Sequence, residues 1–182
     1  MKYNKTIKLK DGRDCLLRSA TESDGEAALN NFIIAHSQTD YLLTYPDEIT
    51  YTVKEEAEHL KGKLESENEI EILAIIDNKV VGTAGISSLG NKYKLKHRAE
   101  FGISIDKEYW GLGIGRALTR ACIECAKTAG YAQLELDVMA KNKRAIELYK
   151  SEGFIEYGRN PKGFNSRISG FEELVLMRLE LG

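Results

Sequence analysis

The segment 108–120 constrains the fold of this chain more than any other stretch. Its sequence, EYWGLGIGRALTR, places Gly111, Gly113 and Gly115 at alternate positions. The residues before it alternate with the period of a strand, which places on one face Leu95, His97, Ala99, Phe101, Ile103 and Ile105. Those after it repeat with the period of a helix, at Ile114, Leu118, Ala121, Cys122, Cys125, Ala126 and Ala129. The segment therefore predicts a strand, a glycine loop and a helix.

The glycine loop predicts close approach of its backbone to an anion. Glycine costs about 1 kcal/mol against alanine inside a helix, so three glycines here indicate that bare N–H groups must meet a large group. The unpaired N–H groups and positive dipole of a helix start favour a phosphate. Arg116 stands where a dinucleotide fingerprint needs glycine, and Gly-Arg-Ala closes the loop where a P-loop needs Gly-Lys-Ser/Thr. The alternative is a tight strand-to-helix turn that binds nothing.

Two motifs resemble those of the GCN5-related N-acetyltransferase (GNAT) family. Residues 110–118, WGLGIGRAL, are similar to the family's acyl-CoA pyrophosphate loop, although Trp110 stands where that pattern prefers Gln or Arg. Residues 142–154, NKRAIELYKSEGF, are similar to the family's later helix. The resemblance covers nearly the whole chain. It is greatest to the bacterial branch that includes ribosomal-protein N-terminal and small-amine or amino-acid acetyltransferases.

The fold predicted from these patterns is mixed α/β. With 182 residues, the chain is expected to form a single N-acetyltransferase domain over residues 1–182. Asp11-Gly12 predicts a hairpin, helices are expected after residue 24 and over residues 53–68, and a final hairpin should join strands 154–158 and 171–181 by a long connection. The central sheet should be mostly antiparallel and flanked by helices. The resemblance implies a splayed parallel pair of strands that admits the pantetheine arm of acetyl-CoA.

The resemblance also implies which residues bind acetyl-CoA as co-substrate. Main-chain groups around Ile103 and Ile105 would hold the pantetheine arm and the acetyl oxygen, and Asn142 would contact the same arm. Tyr149 maps onto the family's general acid for the departing thiolate. The pyrophosphate would lie against the loop residues Trp110, Gly111, Leu112, Gly113, Ile114, Gly115 and Arg116.

Acetyl transfer to an amine requires a proton acceptor, because an alkylamine of pKa ~10 is mostly charged at pH 7. Glu100 is the only acid on the polar face of the long strand, so we predict that it is the base. The alternative is a structural ion pair between Glu100 and Arg98. Tyr149 has its own alternative as a core residue, because it shares a helical stripe with Ala145 and Leu148.

Composition excludes several other functions. A net charge of −2 without a basic tract argues against nucleic acid, and no apolar run approaches the ~20 residues of a membrane span. Residues 1–10 lack a signal-peptide core, so a cytoplasmic location is expected. Three cysteines make neither a disulfide framework nor a metal site. The family resemblance leaves a homodimer open.

The sequence therefore predicts an acetyl-CoA-dependent N-acetyltransferase. It would act on a primary amine, which could be a small molecule, an amino acid or a protein N-terminus, by direct attack in a ternary complex. The alternative is a non-catalytic acyl-CoA-binding regulatory domain. The acceptor is left undefined by the sequence. The aromatic segment 37–52 is either a wall of the acceptor site or surface packing.

Overall fold

The computed structural model describes residues 1–182 and contains one eight-stranded sheet with four α-helices. The strands are β1 (Asn4–Lys8), β2 (Asp14–Ser19), β3 (Ile70–Ile76), β4 (Lys79–Ser88), β5 (Arg98–Ile105), β6 (Gln133–Met139), β7 (Ile155–Ser166) and β8 (Gly170–Glu180). The helices are α1 (Gly25–Ser37), α2 (Val53–Glu65), α3 (Ile114–Thr128) and α4 (Lys143–Ser151). The order across the sheet is β1-β2-β3-β4-β5-β6-β8-β7. All neighbouring pairs are antiparallel except β5 and β6, which confirms the predicted mixed fold.

Local sequence signals place most element ends. Gly12 takes the left-handed conformation in the predicted hairpin between β1 and β2, with φ of 86°. Thr52 caps α2 by accepting a hydrogen bond from the Glu55 N–H, and Asn142 caps α4 by accepting one from the Ala145 N–H. Gly153 follows α4 with φ of 97°, as expected of a helix stop.

Two strand boundaries were predicted wrongly, and α2 ends at Glu65, three residues before its predicted end. Strand β5 begins at Arg98, because Leu95 belongs to a turn in which its N–H donates to the Lys92 carbonyl. Strand β7 extends through Ser166, so the predicted long connection before residue 170 is a short turn. The β7–β8 register is interrupted between Asn160 and Phe164. Pro161 lies in that interruption, where no ladder N–H is required of it.

The two faces of the sheet are covered unequally. Helices α3 and α4 pack on one face over a core cluster of 28 buried residues, which includes most of the predicted α3 stripe. The face under α1 and α2 has a buried cluster of only five residues: Ala20, Ala28, Leu60, Leu73 and Val80. Much of β3, β4 and β5 on this second face is therefore free to line a cavity.

The parallel strands β5 and β6 separate after a short contact. Residues 98–100 pair with residues 133–135, and the pairing stops there although both strands continue to Ile105 and Met139. We refer to the space between residues 101–105 and 136–139 as the β5–β6 gap. The gap confirms the splayed parallel pair and opens the middle of the sheet.

Candidate active site

The β5 edge of the gap presents unpaired main-chain groups. The Asp106 N–H donates to the Val81 carbonyl at 3.0 Å, which fixes the alternation of the β4–β5 ladder. Even-numbered residues of β5 therefore bond to β4, and Phe101, Ile103 and Ile105 direct their N–H and C=O groups toward the gap. The Ile105 carbonyl already accepts a hydrogen bond from Trp110 Nε1 at 2.9 Å. The N–H and C=O of Ile103 stay open to a ligand.

The glycine loop lies at one end of the gap, directly after β5. Gly111 and Gly113 have φ of 89° and 101°, a left-handed conformation that side chains disfavour. Gly115 has ordinary helical geometry, but a Cβ there would lie 3.4 Å from the side chains of both Ile105 and Leu148. Gly111 and Gly113 thus shape the loop, and Gly115 allows α3 to pack closely.

The loop leaves N–H donors at the start of α3. The Ala117 N–H donates to the Gly113 carbonyl at 3.1 Å, so the N–H groups of residues 114–116 precede the regular helical pattern. The Leu112 carbonyl accepts from the Lys10 N–H at 3.1 Å, which joins the loop to the β1–β2 hairpin. The buried Ile114 side chain anchors the loop in the core. The result is a rigid nest of donors.

Three cations surround this loop. Lys10, Arg116 and Arg144 all line the cavity beside it. Arg116 is already bound to Glu152, with Nε 3.0 Å from Oε1. Arg144 forms no ion pair within the protein; its guanidinium lies 5.6 Å from the centre of the Trp110 ring. Lys10 and Arg144 were missed by sequence reasoning, which carries no signal that the hairpin and α4 meet at the loop.

A continuous cavity of about 1120 Å³ runs from the glycine loop, through the gap, to the face under α1 and α2. On that face Glu71, Gly85 and Gly102 are register partners on β3, β4 and β5. A Cβ on Gly85 would come within 2.1 Å of Glu71 Oε2, whereas one on Gly102 would meet no atom within 4 Å. Gly85 thus makes room for the Glu71 carboxyl, and Gly102 leaves open the space between that carboxyl and the gap. We refer to this side of the cavity as the acceptor half.

Glu100 lies in the acceptor half on the face predicted for it. The predicted alternative, an ion pair with Arg98, is wrong. Arg98 instead forms a two-pronged pair with Glu135, in which NH2 lies 2.7 Å from Oε2. The pairing of Arg98 with Glu135 follows from the strand register, because β5 and β6 are adjacent and the two side chains lie on the same face of the sheet. The Glu100 carboxylate has no cationic partner.

Tyr149 is a core residue that also lines the cavity. Its ring is buried, with centroids 6.0 Å from Phe101 in an edge-on arrangement and 5.8 Å from Phe154. The residue also lines the cavity next to the gap. Burial raises the pKa of its hydroxyl well above the usual range, so the group stays protonated. Asn142 lies beside the gap as well. Its side-chain oxygen accepts the capping hydrogen bond from the Ala145 N–H, so its side-chain NH2 group remains available to a ligand.

Sequence reasoning missed one carboxyl group of unusual character. Burial raises the pKa of Glu71 to about 7; Lys63 and a hydrogen bond from Thr83 oppose this rise, and Glu56 adds to it. Two histidines also line the acceptor half. Burial lowers the pKa of His36, which bonds to the Phe32 carbonyl through Nδ1, and of His59, where Lys63 adds to the effect. Both histidines are therefore neutral at pH 7.

The aromatic segment 37–52 forms a wall of the acceptor half. It contributes to the lining Thr39, Tyr41, Leu42, Leu43, Thr44 and Tyr51. Arg167, in the β7–β8 turn, holds this wall through an ion pair with Asp47 at 2.7 Å and a position 4.3 Å over the Tyr45 ring. Ser166 adds a hydrogen bond to Asp40 at 2.6 Å. The segment is fastened at its outer edge.

The remaining side chains offer no metal site. No group of three or more His, Cys, Asp or Glu residues has the arrangement to hold a metal ion, and the three cysteines are buried and unpaired. No helix has the length and hydropathy required to cross a membrane.

Comparison with known proteins gives consistent matches. The model of the acetyltransferase (GNAT) family matches residues 31–154. The [ribosomal protein bS18]-alanine N-acetyltransferase of Escherichia coli is 36% identical over 81 residues, which cover 44% of this chain and 54% of that protein. The chain spans about half the length of the curated relatives it matches.

Solved structures extend the match to the whole fold. The structure of a GNAT-family acetyltransferase from Streptococcus pneumoniae superposes with a TM-score of 0.86 at 28% identity, covering 91% of this chain and 99% of that one. The structure of yncA from Salmonella typhimurium with its cofactor acetyl-CoA has a TM-score of 0.81 at 18% identity, covering 92% and 94%. At that identity the second match concerns the fold alone.

Proposed function

Because this chain belongs to the acetyltransferase (GNAT) family, we propose that it transfers an acetyl group from acetyl-CoA to a primary amine. The continuous sheet supports a single catalytic domain over residues 1–182. The observation that carries the proposal is the β5–β6 gap, which joins the glycine loop on one side of the sheet to a carboxylate-lined chamber on the other.

Acetyl-CoA fits this arrangement as a substrate. The N–H groups of residues 114–116, with Lys10 and Arg144, would hold its pyrophosphate at the positive end of α3. The open main-chain groups of Ile103 would bond the pantetheine arm in the manner of a neighbouring strand. The NH2 group of Asn142 would contact the same arm. The indole of Trp110 would shape the loop from behind, since its N–H is committed to Ile105.

The side chains at the gap can move the required protons. Glu100 would accept one proton from the substrate ammonium, directly or through water, and so free the nitrogen lone pair for attack on the acetyl carbon. The C–N bond forms as the C–S bond breaks. Tyr149 would give its hydroxyl proton to the departing sulfur and regain one from the nitrogen that has become an amide. The sum is one amide, one CoA thiol and one released proton.

An acceptor screen tests this function against the alternative of a non-catalytic acyl-CoA-binding domain. The purified protein would be given acetyl-CoA with polyamines, amino acids, aminoglycosides and peptides with free N-termini, and release of CoA thiol would be followed. We expect acceptor-dependent release with at least one class and an acetylated product by mass spectrometry. Tight acetyl-CoA binding without turnover on any class would favour the regulatory domain.

Substitution Tyr149→Phe should slow turnover while sparing the fold. The phenylalanine ring keeps the contacts with Phe101 and Phe154, so we expect the free energy of unfolding to change by less than about 0.5 kcal/mol. Turnover should fall roughly 10–100-fold, because a thiolate of pKa ~8.5 is already a fair leaving group and needs only modest help. Acetyl-CoA affinity by calorimetry should stay within a few-fold.

Tyr131→Phe supplies the matched control for this prediction. Tyr131 is also buried and its hydroxyl has no hydrogen-bond partner, but it does not line the cavity. Its substitution removes the same atom from the core and should leave turnover unchanged. Equal turnover in Tyr149→Phe and Tyr131→Phe, measured where chemistry limits the rate, would return Tyr149 to a packing role.

A further inference from the structure

The charged groups that line the cavity are segregated by sign. The three cations all lie at the glycine loop: Lys10, Arg116 and Arg144. The four carboxylates all line the remainder: Glu56 on α2, Glu71 on β3, Glu100 on β5 and Asp137 on β6. The end of the cavity at the glycine loop suits the phosphates of CoA. The acceptor half has the charge that would attract an ammonium group.

None of these four carboxylates has an ion-pair partner, although sixteen ion pairs form elsewhere in the protein. The nearest candidate is Lys63, but its ammonium is bonded to the Ile86 carbonyl at 3.0 Å, to the Ser87 hydroxyl, and to Glu69 at 3.4 Å. The neutral His36 and His59 supply no charge. The acceptor half is therefore lined by four carboxyl groups and by no lysine or arginine.

A second observation points independently to a ligand in the same place. Ser104 is only 6% exposed, and its hydroxyl has no hydrogen-bond partner although it lines the acceptor half. Ser104 belongs to the same face of β5 as Glu100, with the open Gly102 between them. A buried hydroxyl without a partner is costly unless a ligand supplies one. An ammonium group can donate a hydrogen bond to this oxygen.

We propose that the acceptor is an aliphatic diamine or polyamine, whose reacting amine lies at the gap while a second ammonium group is held by the carboxylates of the acceptor half. This inference rests on the proposed function and names its substrate class. The aromatic wall supplies apolar surface for the methylene chain between two charges.

The raised pKa values of three of these carboxylates are consistent with a site for a cationic ligand. Burial raises the pKa of Glu56, of Glu71 to about 7, and of Asp137, where Glu135 adds to the effect. Burial destabilises the charged form of each of these groups, and a neighbouring carboxylate adds to the effect at Glu71 and Asp137. A bound dication would restore the charged forms. An acceptor with its own carboxylate would add to the repulsion.

The test compares three acceptors that have a primary amine at one end of a four-carbon chain. The other end carries a second amine in putrescine, a methyl group in butylamine and a carboxylate in γ-aminobutyrate. We expect kcat/KM for putrescine to exceed that for butylamine by at least about tenfold, or about 1.4 kcal/mol, and γ-aminobutyrate to be the poorest. Equal values for putrescine and butylamine, or a preference for γ-aminobutyrate, would overturn the inference and leave the acetyltransferase function intact.

Calorimetry on the CoA-loaded protein separates the two proposals when turnover is absent. Tighter binding of putrescine than of butylamine without any acetylation would support the dication site while the proposed function fails. Equal binding of the two amines would overturn the dication site, whether or not the protein acetylates either of them.

Substitutions on α2 test whether the carboxylates cause the preference for putrescine over butylamine. Glu56→Gln removes one unpaired charge from the acceptor half and should lower the putrescine-to-butylamine ratio of kcat/KM several-fold. Glu58→Gln makes the same change on the same helix at an exposed residue outside the cavity, 3.8 Å from Lys54. It should keep the wild-type ratio. Equal ratios in the two variants would contradict the role given to Glu56.

Discussion

Substitution Gly113→Val should weaken CoA binding by at least about 100-fold, measured by calorimetry. Its branched side chain would stand at the start of α3, where the phosphates must approach the N–H groups of residues 114–116. A hydrogen bond to a charged group contributes roughly 1.5–3 kcal/mol, so the loss of one or two such bonds accounts for the expected factor. Gly113 also has φ of 101°, and a side chain in that conformation costs about 1–2 kcal/mol of stability.

Gly130→Val separates the loss of affinity from the backbone strain. Gly130 has φ of 79° and no atom within 4 Å of a built Cβ, as at Gly113. It follows α3 at the end opposite the glycine loop, about 22 Å away along a helix of 15 residues. Both variants should lose similar unfolding free energy, and only Gly113→Val should lose CoA affinity. Equal CoA affinity in the two variants would remove the loop from the cofactor site.

Substitution Glu100→Gln should lower turnover at neutral pH by about 100-fold or more, because the substrate ammonium loses its proton acceptor. Activity should recover in part as the pH rises, since more of the amine is then free without help from the protein. The fold should be unaffected, because the Glu100 carboxylate makes no ion pair and Arg98 is held by Glu135. Stopped-time assays across a pH series at saturating acetyl-CoA measure both effects.

Glu147→Gln is a suitable control for this pH series, because Glu147 is an exposed residue of α4 outside the cavity. It should retain wild-type turnover at every pH. If Glu100→Gln does the same, Glu100 is not the base. Glu71 would then be the carboxylate to test, because its pKa of about 7 and the open space over Gly102 also suit a proton acceptor.

The elements that could be predicted from the sequence depend on local signals. The period of two in β5, the stripe of α3, the Asn142 cap and the glycine loop each involve residues a few positions apart. These signals also give the faces on which Glu100 and Tyr149 lie, because side-chain direction follows from position within a strand or helix. The start of β5 was misplaced because Leu95 continues the alternating pattern although its N–H is bound in a turn.

The contacts that could not be predicted depend on register between distant strands. Glu71 meets Gly85 and Gly102 only through the β3–β4 and β4–β5 pairings, which no local pattern in the sequence specifies. The same is true of Arg98, whose partner Glu135 is 37 positions away. Trp110 departs from the family pattern, and its bond to the Ile105 carbonyl needs the turn between them to be known. The residues of the acceptor half can therefore be grouped only from the three-dimensional structure.

Amide hydrogen exchange at Ile103 tests most directly whether acetyl-CoA occupies the β5–β6 gap. The Ile103 N–H faces the gap, whereas that of Ser104, its neighbour, bonds to β4 and serves as an internal control. We predict that saturating acetyl-CoA slows exchange of the Ile103 amide at least about tenfold in NMR spectra, while Ser104 exchanges slowly in both states. If calorimetry shows that acetyl-CoA is bound and exchange at Ile103 is unchanged, acetyl-CoA does not occupy the β5–β6 gap.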